Sequence, residues 1–341
     1  MRGVRVHGIR DVRIEHLPEP KLRPGEVLLR VPLVTLCASD MHVYLRGEIG
    51  GVSWDQPFVP GHECAGIVLD SNGTDLVAGT RVAIDPAIPC GNCDMCSETM
   101  FHLCRHLEFM AMPPRHGSMC EKIAMPRRCL FPVPDDMDLG DIALLEPLAV
   151  AVHAVELARM KPGATVALLG CGGIGLCILM VARAKGAGPI MATDLVPERL
   201  AVAKDLGADA TFLAAEESPV EKILERTGGR GVDVVFEAAG AQETPQQAVE
   251  VCRPGGSVVL VGIPAEDRLE IRLSEARRKE LLLINVRRQN ENYPEAISLI
   301  VSGQVNVKPI LTHRLPLQQI SRAYELMDTR AEGSIRVAVE P

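Results

Sequence analysis

The chain has 341 residues, 47% of them hydrophobic and 23% charged, with a formal net charge of -8. That length exceeds what one hydrophobic core usually fills, so two domains are expected, and the ordinary composition excludes a largely disordered chain. The acidic balance, with no basic run interleaved with aromatics, excludes a general nucleic-acid surface, and the lack of a bilayer-length apolar run or a signal-peptide stretch predicts a cytoplasmic protein with no membrane partner.

Residues 1–148 carry short apolar runs broken by Pro and Gly, among them VRVHGI, VLLRVPLVTL, CAGIVLD and TRVAID. This pattern predicts antiparallel β structure. Within it the segment LCASDMH supplies Cys37, Ser39, Asp40 and His42, and PGHECAG supplies His62 and Glu63. Farther on, LEPLAVAVHA places Glu146 just ahead of the next region. One thiolate, one imidazole and one carboxylate would leave a zinc ion a fourth position for water or a substrate oxygen, which is the pattern of a catalytic metal site.

Between these segments PCGNCDMCSETMFHLC places Cys90, Cys93, Cys96 and Cys104 in the spacing C-x2-C-x2-C-x7-C. The chain has eleven cysteines, an odd number that in a reducing compartment is better explained by thiols and metal ligands than by a disulfide frame. Four soft ligands close a tetrahedron and leave no position for substrate, so the cluster is expected to be structural. Zinc is the expected metal, with an iron–sulfur cluster as the competing reading and a nucleic-acid zinc ribbon disfavoured by the charge.

From residue 161 short apolar runs alternate with helix-period stretches: TVALLG, IGLCILMVARAKG, PIMATD, VPERLAVAKDLG, VDVVFEAAG, TPQQAVEVCRPGG and SVVLVGI. Strand, helix, strand repeated in this way predicts an α/β fold with a doubly wound parallel sheet. ELLLINVRRQ reads as its last strand, YPEAISLIVSG as an amphipathic helix, and SIRVAVE as a strand returning to the first domain.

Gly170-Cys171-Gly172-Gly173-Ile174-Gly175 follows a predicted strand and opens a predicted helix. Glycines there permit a tight turn and bring a pyrophosphate close to backbone N–H groups at the helix N-terminus. Asp194 ends the next strand, where it would accept hydrogen bonds from an adenosine ribose and repel a 2′-phosphate; capping helix VPERLAVAKDL is its plainer role. Arg199, one turn into that helix, is a second candidate for the ribose and would tolerate NADP. The cofactor expected is NAD.

In the order C-x-S-D-x-x-H, G-H-E, four clustered cysteines, E-P-L-x-V-x-x-H-A and G-x-G-G-x-G, the sequence resembles the zinc-dependent medium-chain dehydrogenases across essentially its whole length. LEPLAV and NVKPILTHRLPL make it similar to the sorbitol, or polyol, branch, whereas simple alcohol dehydrogenases typically have a cysteine ligand at the position of Glu146. Thr80 departs from the family's G-D-R-V turn, and retention of the four-Cys loop fits a bacterial-type member.

The resemblance implies a GroES-like β-rich catalytic domain, formed by both chain ends and embracing a Rossmann domain, with the active site in the cleft. The division implied is 1–148 with its structural zinc loop 90–104, then 149–288 for NAD, then 289–341 returning to the catalytic domain. Carried over by position, Cys37, His62 and Glu63 would bind the catalytic zinc, Glu146 would hold the metal's water or exchange with it, and Asp40 would orient His62. That gives two zinc ions per subunit. The family forms dimers and tetramers, and a homo-tetramer is expected.

An open zinc site brings the pKa of a coordinated water to about 7, and a bound alcohol should respond likewise, freeing the carbinol hydride for the nicotinamide. Ser39 would take the hydroxyl proton and relay it through the cofactor ribose to His42. Arg288, and less well Arg287, matches the position of a substrate-contacting arginine in the polyol branch, where a guanidinium could grip several hydroxyls. Tyr44, Trp54 and Phe109 are candidates for the pocket wall, with core packing as the other reading of each, and Gln289 stands where some relatives have tyrosine. The expected function is therefore oxidation of a secondary polyol hydroxyl to a ketose. An L-threonine or 2,3-butanediol dehydrogenase is the alternative within the class, and a non-catalytic NAD- and zinc-binding protein or a thiol sensor the alternative outside it.

Overall fold

The computed structural model describes residues 1–49, 51–54, 56–266 and 268–341. The chain divides into two compact units, one of Met1–Glu146, Tyr293–Ser298 and Leu311–Pro341, the other of Pro147–Asn292 and Leu299–Ile310. Among the described residues no helix is long and apolar enough to cross a membrane.

The first unit is built on a seven-stranded sheet whose central strand, Glu26–Thr35, pairs antiparallel with Glu63–Asp70 on one side and with Arg336–Glu340 on the other. Its sequence EVLLRVPLVT is rich in β-branched and apolar residues, and Val27, Leu29, Val31 and Val34 are buried in one cluster with Val68, Val82, Ile84, Val337 and Val339. Strands drawn from both ends of the chain therefore share one core. The register sets Thr35 opposite Glu63 and also opposite Ala338. Leu311–Pro316 runs parallel beside Arg336–Glu340 and completes that edge.

The second unit holds a six-stranded, all-parallel sheet in the order Ala210–Leu213, Ile190–Asp194, Val166–Leu169, Val232–Glu237, Cys252–Leu260, Leu282–Asn285. Parallel strands covered on both faces read as unbroken apolar runs, and all four residues of Val166–Leu169 are buried. The chain order reverses between Val166–Leu169 and Val232–Glu237, which makes this the switch point of a doubly wound sheet. One element is shorter than its sequence pattern. The helix beginning TPQQAVEV stops at Val251, and Cys252 to Leu260 form strand, because Pro254 disfavours helical geometry just before it and cannot continue the helix.

Candidate active site

Helix Ala38–Arg46 starts directly after the central strand of the first unit, and this junction carries the first ligand candidate, Cys37, at the helix N-cap. Asp40 fastens it. One carboxylate oxygen accepts the Cys37 amide at 3.0 Å and the other accepts the Gly61 amide at 3.1 Å, so a single side chain ties the Cys37 turn to the loop that delivers His62. Burial pushes the Asp40 carboxyl up, and the charge of His62 opposes that shift.

The Sγ of Cys37, an imidazole nitrogen of His62 and a carboxylate oxygen of Glu63 lie within 4.8 Å of one another. Glu63 opens its strand opposite Thr35, whose hydroxyl donates to Glu63 Oε2 at 2.5 Å, while Arg336 Nη2 donates to Oε1 at 2.9 Å. Glu63 and Arg336 are 0% and 4% exposed. Each carboxylate oxygen keeps a second lone pair, so Glu63 can face a cation without surrendering either bond. Burial, reinforced by Glu63, pushes the Cys37 thiol far above its ordinary range. A thiol held that high ionises only against a cation, which this group of sulfur, nitrogen and oxygen donors suits.

Around the group, Ser39 Oγ lies 3.5 Å from His62 Nε2, and the Phe109 ring sits 5.5 Å from the His62 imidazole, tilted by 53°. Glu146 enters on helix Leu145–Leu157, buried and outside the 4.8 Å group. Burial pushes its carboxyl up to about 7, helped by Glu63 and Asp85 and opposed by His62 and Arg336. His42 is half-buried on the same short helix as Ser39.

Tyr44 follows on the same helix. Its ring packs at 4.4 Å on that of buried Tyr324 with the Arg10 guanidinium 5.8 Å above it, because it follows Asp40 by one helical turn and shares that residue's inward face. Trp54 packs on Phe58 at 5.3 Å beside Val6 and Val43. Arg288 belongs to the second unit, half-buried in a left-handed conformation with φ of 58°, and Gln289 after it is buried.

Cys90, Cys93, Cys96 and Cys104 form a second group of donors. Their sulfurs stand 3.6, 3.8 and 4.0 Å apart for the pairs 93–96, 93–104 and 90–96. Zinc–sulfur bonds of about 2.3 Å in a tetrahedron require sulfur separations of about 3.8 Å, so the loop has the dimensions of a closed zinc site. The backbone amides of Arg105 and Cys96 pull the Cys93 thiol down to about 6, toward the thiolate a metal needs.

In the second unit Gly170, with φ of +100°, packs so tightly that a Cβ there would lie 2.7 Å from the Ala239 nitrogen, and a Cβ on Gly175 would lie 1.9 Å from the Gly170 oxygen. Gly172 is the N-cap of helix Gly173–Ala184, and a Cβ on it would meet only the Arg199 Nη1, at 3.9 Å. The turn is thus closed behind and open in front, with a guanidinium at its edge, as a pyrophosphate requires. Asp194 accepts the amides of Cys171 at 2.7 Å and Val196 at 2.9 Å, fixing the turn from the neighbouring strand. The helix that follows has Val196, not Asp194, as its N-cap, so the plainer role foreseen for Asp194 does not hold.

Sequence reasoning missed Thr35 and Arg336, the two residues that fasten Glu63. The signal available was an arginine inside the apolar run SIRVAVE, since a charge flanked by core residues needs a buried partner.

A family model described as the alcohol dehydrogenase GroES-like domain matches residues 23–135, and one described as zinc-binding dehydrogenase matches residues 173–302. The chain is 35% identical over 343 residues to a sorbitol dehydrogenase of Bacillus subtilis, covering 100% of this chain and 97% of that protein. To a human sorbitol dehydrogenase it is 37% identical over 324 residues, covering 94% and 90%. Its structure is similar to that of L-idonate 5-dehydrogenase from Escherichia coli, with a TM-score of 0.92, 27% identity and coverage of 100% and 98%. The chain belongs to the zinc-binding dehydrogenase family. It is an oxidoreductase of the zinc- and NAD-dependent alcohol dehydrogenase type.

Proposed function

We propose that the protein oxidises a secondary hydroxyl of a sugar alcohol to the corresponding ketose with NAD. The observation that carries this reading is the convergence of Cys37, His62 and Glu63, three donors that leave a position for a substrate oxygen, in a chain similar over its full length to a sorbitol dehydrogenase. Zinc bound there would supply Lewis acidity at that position, and bound NAD would supply the hydride acceptor.

The chain's own residues do the rest. Cys37, His62 and Glu63 would hold the catalytic zinc, and Glu146, buried on the helix Leu145–Leu157, would order the hydroxyl beside them. Ser39 Oγ takes the substrate proton and His42 passes it toward solvent. Phe109, beside the His62 ring, walls the site against water, and Arg288 binds neighbouring hydroxyls. Gly170, Gly172, Gly173, Ile174 and Gly175 receive the pyrophosphate, and Asp194 and Arg199 the adenosine ribose. Cys90, Cys93, Cys96 and Cys104 hold a second, structural zinc. In this reading the unit of Met1–Glu146, Tyr293–Ser298 and Leu311–Pro341 is the metal-holding part, and the unit of Pro147–Asn292 and Leu299–Ile310, which takes in more of the chain than the expected 149–288, the nucleotide-holding part.

We further place the protein in the cytoplasm as a homo-oligomer, with a tetramer favoured. The strand Leu282–Asn285 lies at one edge of the parallel sheet with Leu282 58% and Leu283 38% exposed, an edge that a second copy would cover. The test of function is NADH absorbance with four- to six-carbon polyols and inositols, with zinc and after chelation. Zinc-dependent turnover of a vicinal polyol is expected; turnover of L-threonine or 2,3-butanediol with none of a polyol overturns the reading.

A further inference from the structure

Glu237 is the last residue of strand Val232–Glu237 and is 1% exposed. One of its carboxylate oxygens accepts the amides of Ala239 at 2.9 Å and Gly240 at 2.8 Å and the Thr244 hydroxyl at 2.8 Å. Its backbone oxygen accepts the amides of Val261 at 2.8 Å and Gly262 at 2.9 Å. One residue thus gathers the loops that leave two adjacent strands of the parallel sheet. The loops also interlock: a Cβ on Gly262 would lie 2.3 Å from the Gly240 nitrogen and 2.8 Å from Glu237 Oε2, and a Cβ on Gly240 would lie 2.6 Å from the Ile263 oxygen. Gly170 of the glycine-rich turn rests on the same assembly through Ala238 and Ala239.

A carboxylate buried among neutral donors carries a desolvation cost that a merely loop-closing residue need not bear, since Asn, Ser or Thr can close a turn without a charge. Its place explains the expense. The loop after Val232–Glu237 lies on the far side of the switch point from Ile190–Asp194, so it borders the half of the crevice that receives the second mononucleotide, the one bearing nicotinamide.

We propose that Glu237 is a positioning residue for the nicotinamide half of the dinucleotide, holding residues 238–244 and 261–263 in the shape against which that half binds. A carboxylate only accepts: Oε1 takes the two amides and the hydroxyl of the 238–244 loop while Oε2 is turned toward the Cα of Gly262, where a glutamine would set an NH2 group or, flipped, forfeit the first set. The inference rests on the reading of this unit as the NAD site and is independent of the alcohol oxidised.

The experiment compares NADH and 5′-AMP affinities, by fluorescence and calorimetry, in the full-length protein and in Glu237→Gln. NADH is expected to bind about ten-fold more weakly, as the loss of one strong hydrogen bond implies, with 5′-AMP unchanged, because AMP occupies only the half led by Asp194. Thr244→Val, a milder change that removes one donor, is expected to weaken NADH in the same selective way should Glu237→Gln fail to fold. Unchanged NADH binding in a folded variant, or equal weakening of NADH and AMP, overturns the proposal. Failure of the unaltered protein to bind either nucleotide would instead overturn the NAD site itself.

Discussion

Asp40 accepts the amide of Gly61 across 21 positions of chain at 3.1 Å, and through it the turn bearing Cys37 and the loop bearing His62 are held as one piece. Asp40→Asn preserves the shape but turns one acceptor into a donor facing an amide. The metal affinity of the open site is expected to fall about 10- to 100-fold, measured by competition with a chromogenic chelator, while the four-Cys loop keeps its zinc. Equal retention at both sites would show that the backbone needs no such tie.

Arg336 is the counter-charge of Glu63 in a place closed to water. Arg336→Met removes one member of a buried pair and strands the other, so a loss of stability of about 3–5 kcal/mol is expected in denaturant titration, together with weaker zinc retention. Replacing both residues at once should cost less than the sum of the single changes.

Glu146 stands apart from the three clustered ligands, and Ser39 donates no metal ligand in this reading. Glu146→Gln and Ser39→Ala are therefore both expected to hold two zinc ions per chain by elemental analysis, and each to lose about 100-fold or more in kcat with little change in KM. One zinc in Glu146→Gln would make that carboxylate a direct ligand.

Asp194→Ala opens the ribose end of the crevice beside Arg199. The ratio of kcat/KM for NADP to that for NAD should rise by at least ten-fold, with a small fall in Tm because the Cys171 and Val196 amides lose their acceptor. A ratio that does not move would place cofactor choice elsewhere.

Asp233, in the second unit, supplies a dependence on acidity of its own. Burial acts to raise its pKa, but hydrogen bonds from Arg230 and Arg253 and from the Thr165 amide override this and hold the carboxyl well below the usual range. A depressed folded pKa contributes stability that is present above the unfolded value of about 3.9 and is lost as pH falls toward the folded one. Asp233→Asn should lower Tm at pH 7, and its deficit relative to the unaltered protein should shrink below about pH 4.

What the sequence disclosed was whatever lies close along the chain. The glycine-rich turn, the four-Cys spacing and the strand–helix alternation are each written within a few tens of residues, so spacing and periodicity expose them. The fastening of Glu63 by Thr35 and Arg336 spans 28 and 273 positions, and only the sheet register brings those partners together. The inward face of Tyr44 was within reach, because a residue one helical turn after a buried Asp40 shares its direction. The part proposed for Glu237 was hidden for a different reason: apart from the Thr244 hydroxyl its donors are backbone amides, which carry no side-chain signature.

The pairing of Glu26–Thr35 with Arg336–Glu340 has a consequence for how the molecule is made. A ribosome emits residue 63 well before residue 336, and the entire second unit is synthesised in the interval. Throughout translation of that stretch the nascent Glu63 lacks its cation and the central strand lacks a neighbour. The four cysteines, all within fifteen positions, can by contrast close on zinc as soon as their loop is clear of the exit tunnel. If both groups hold zinc as proposed, the four-Cys loop can be completed during synthesis, whereas the group of Cys37, His62 and Glu63 gains its buried arginine only after the late strand has docked.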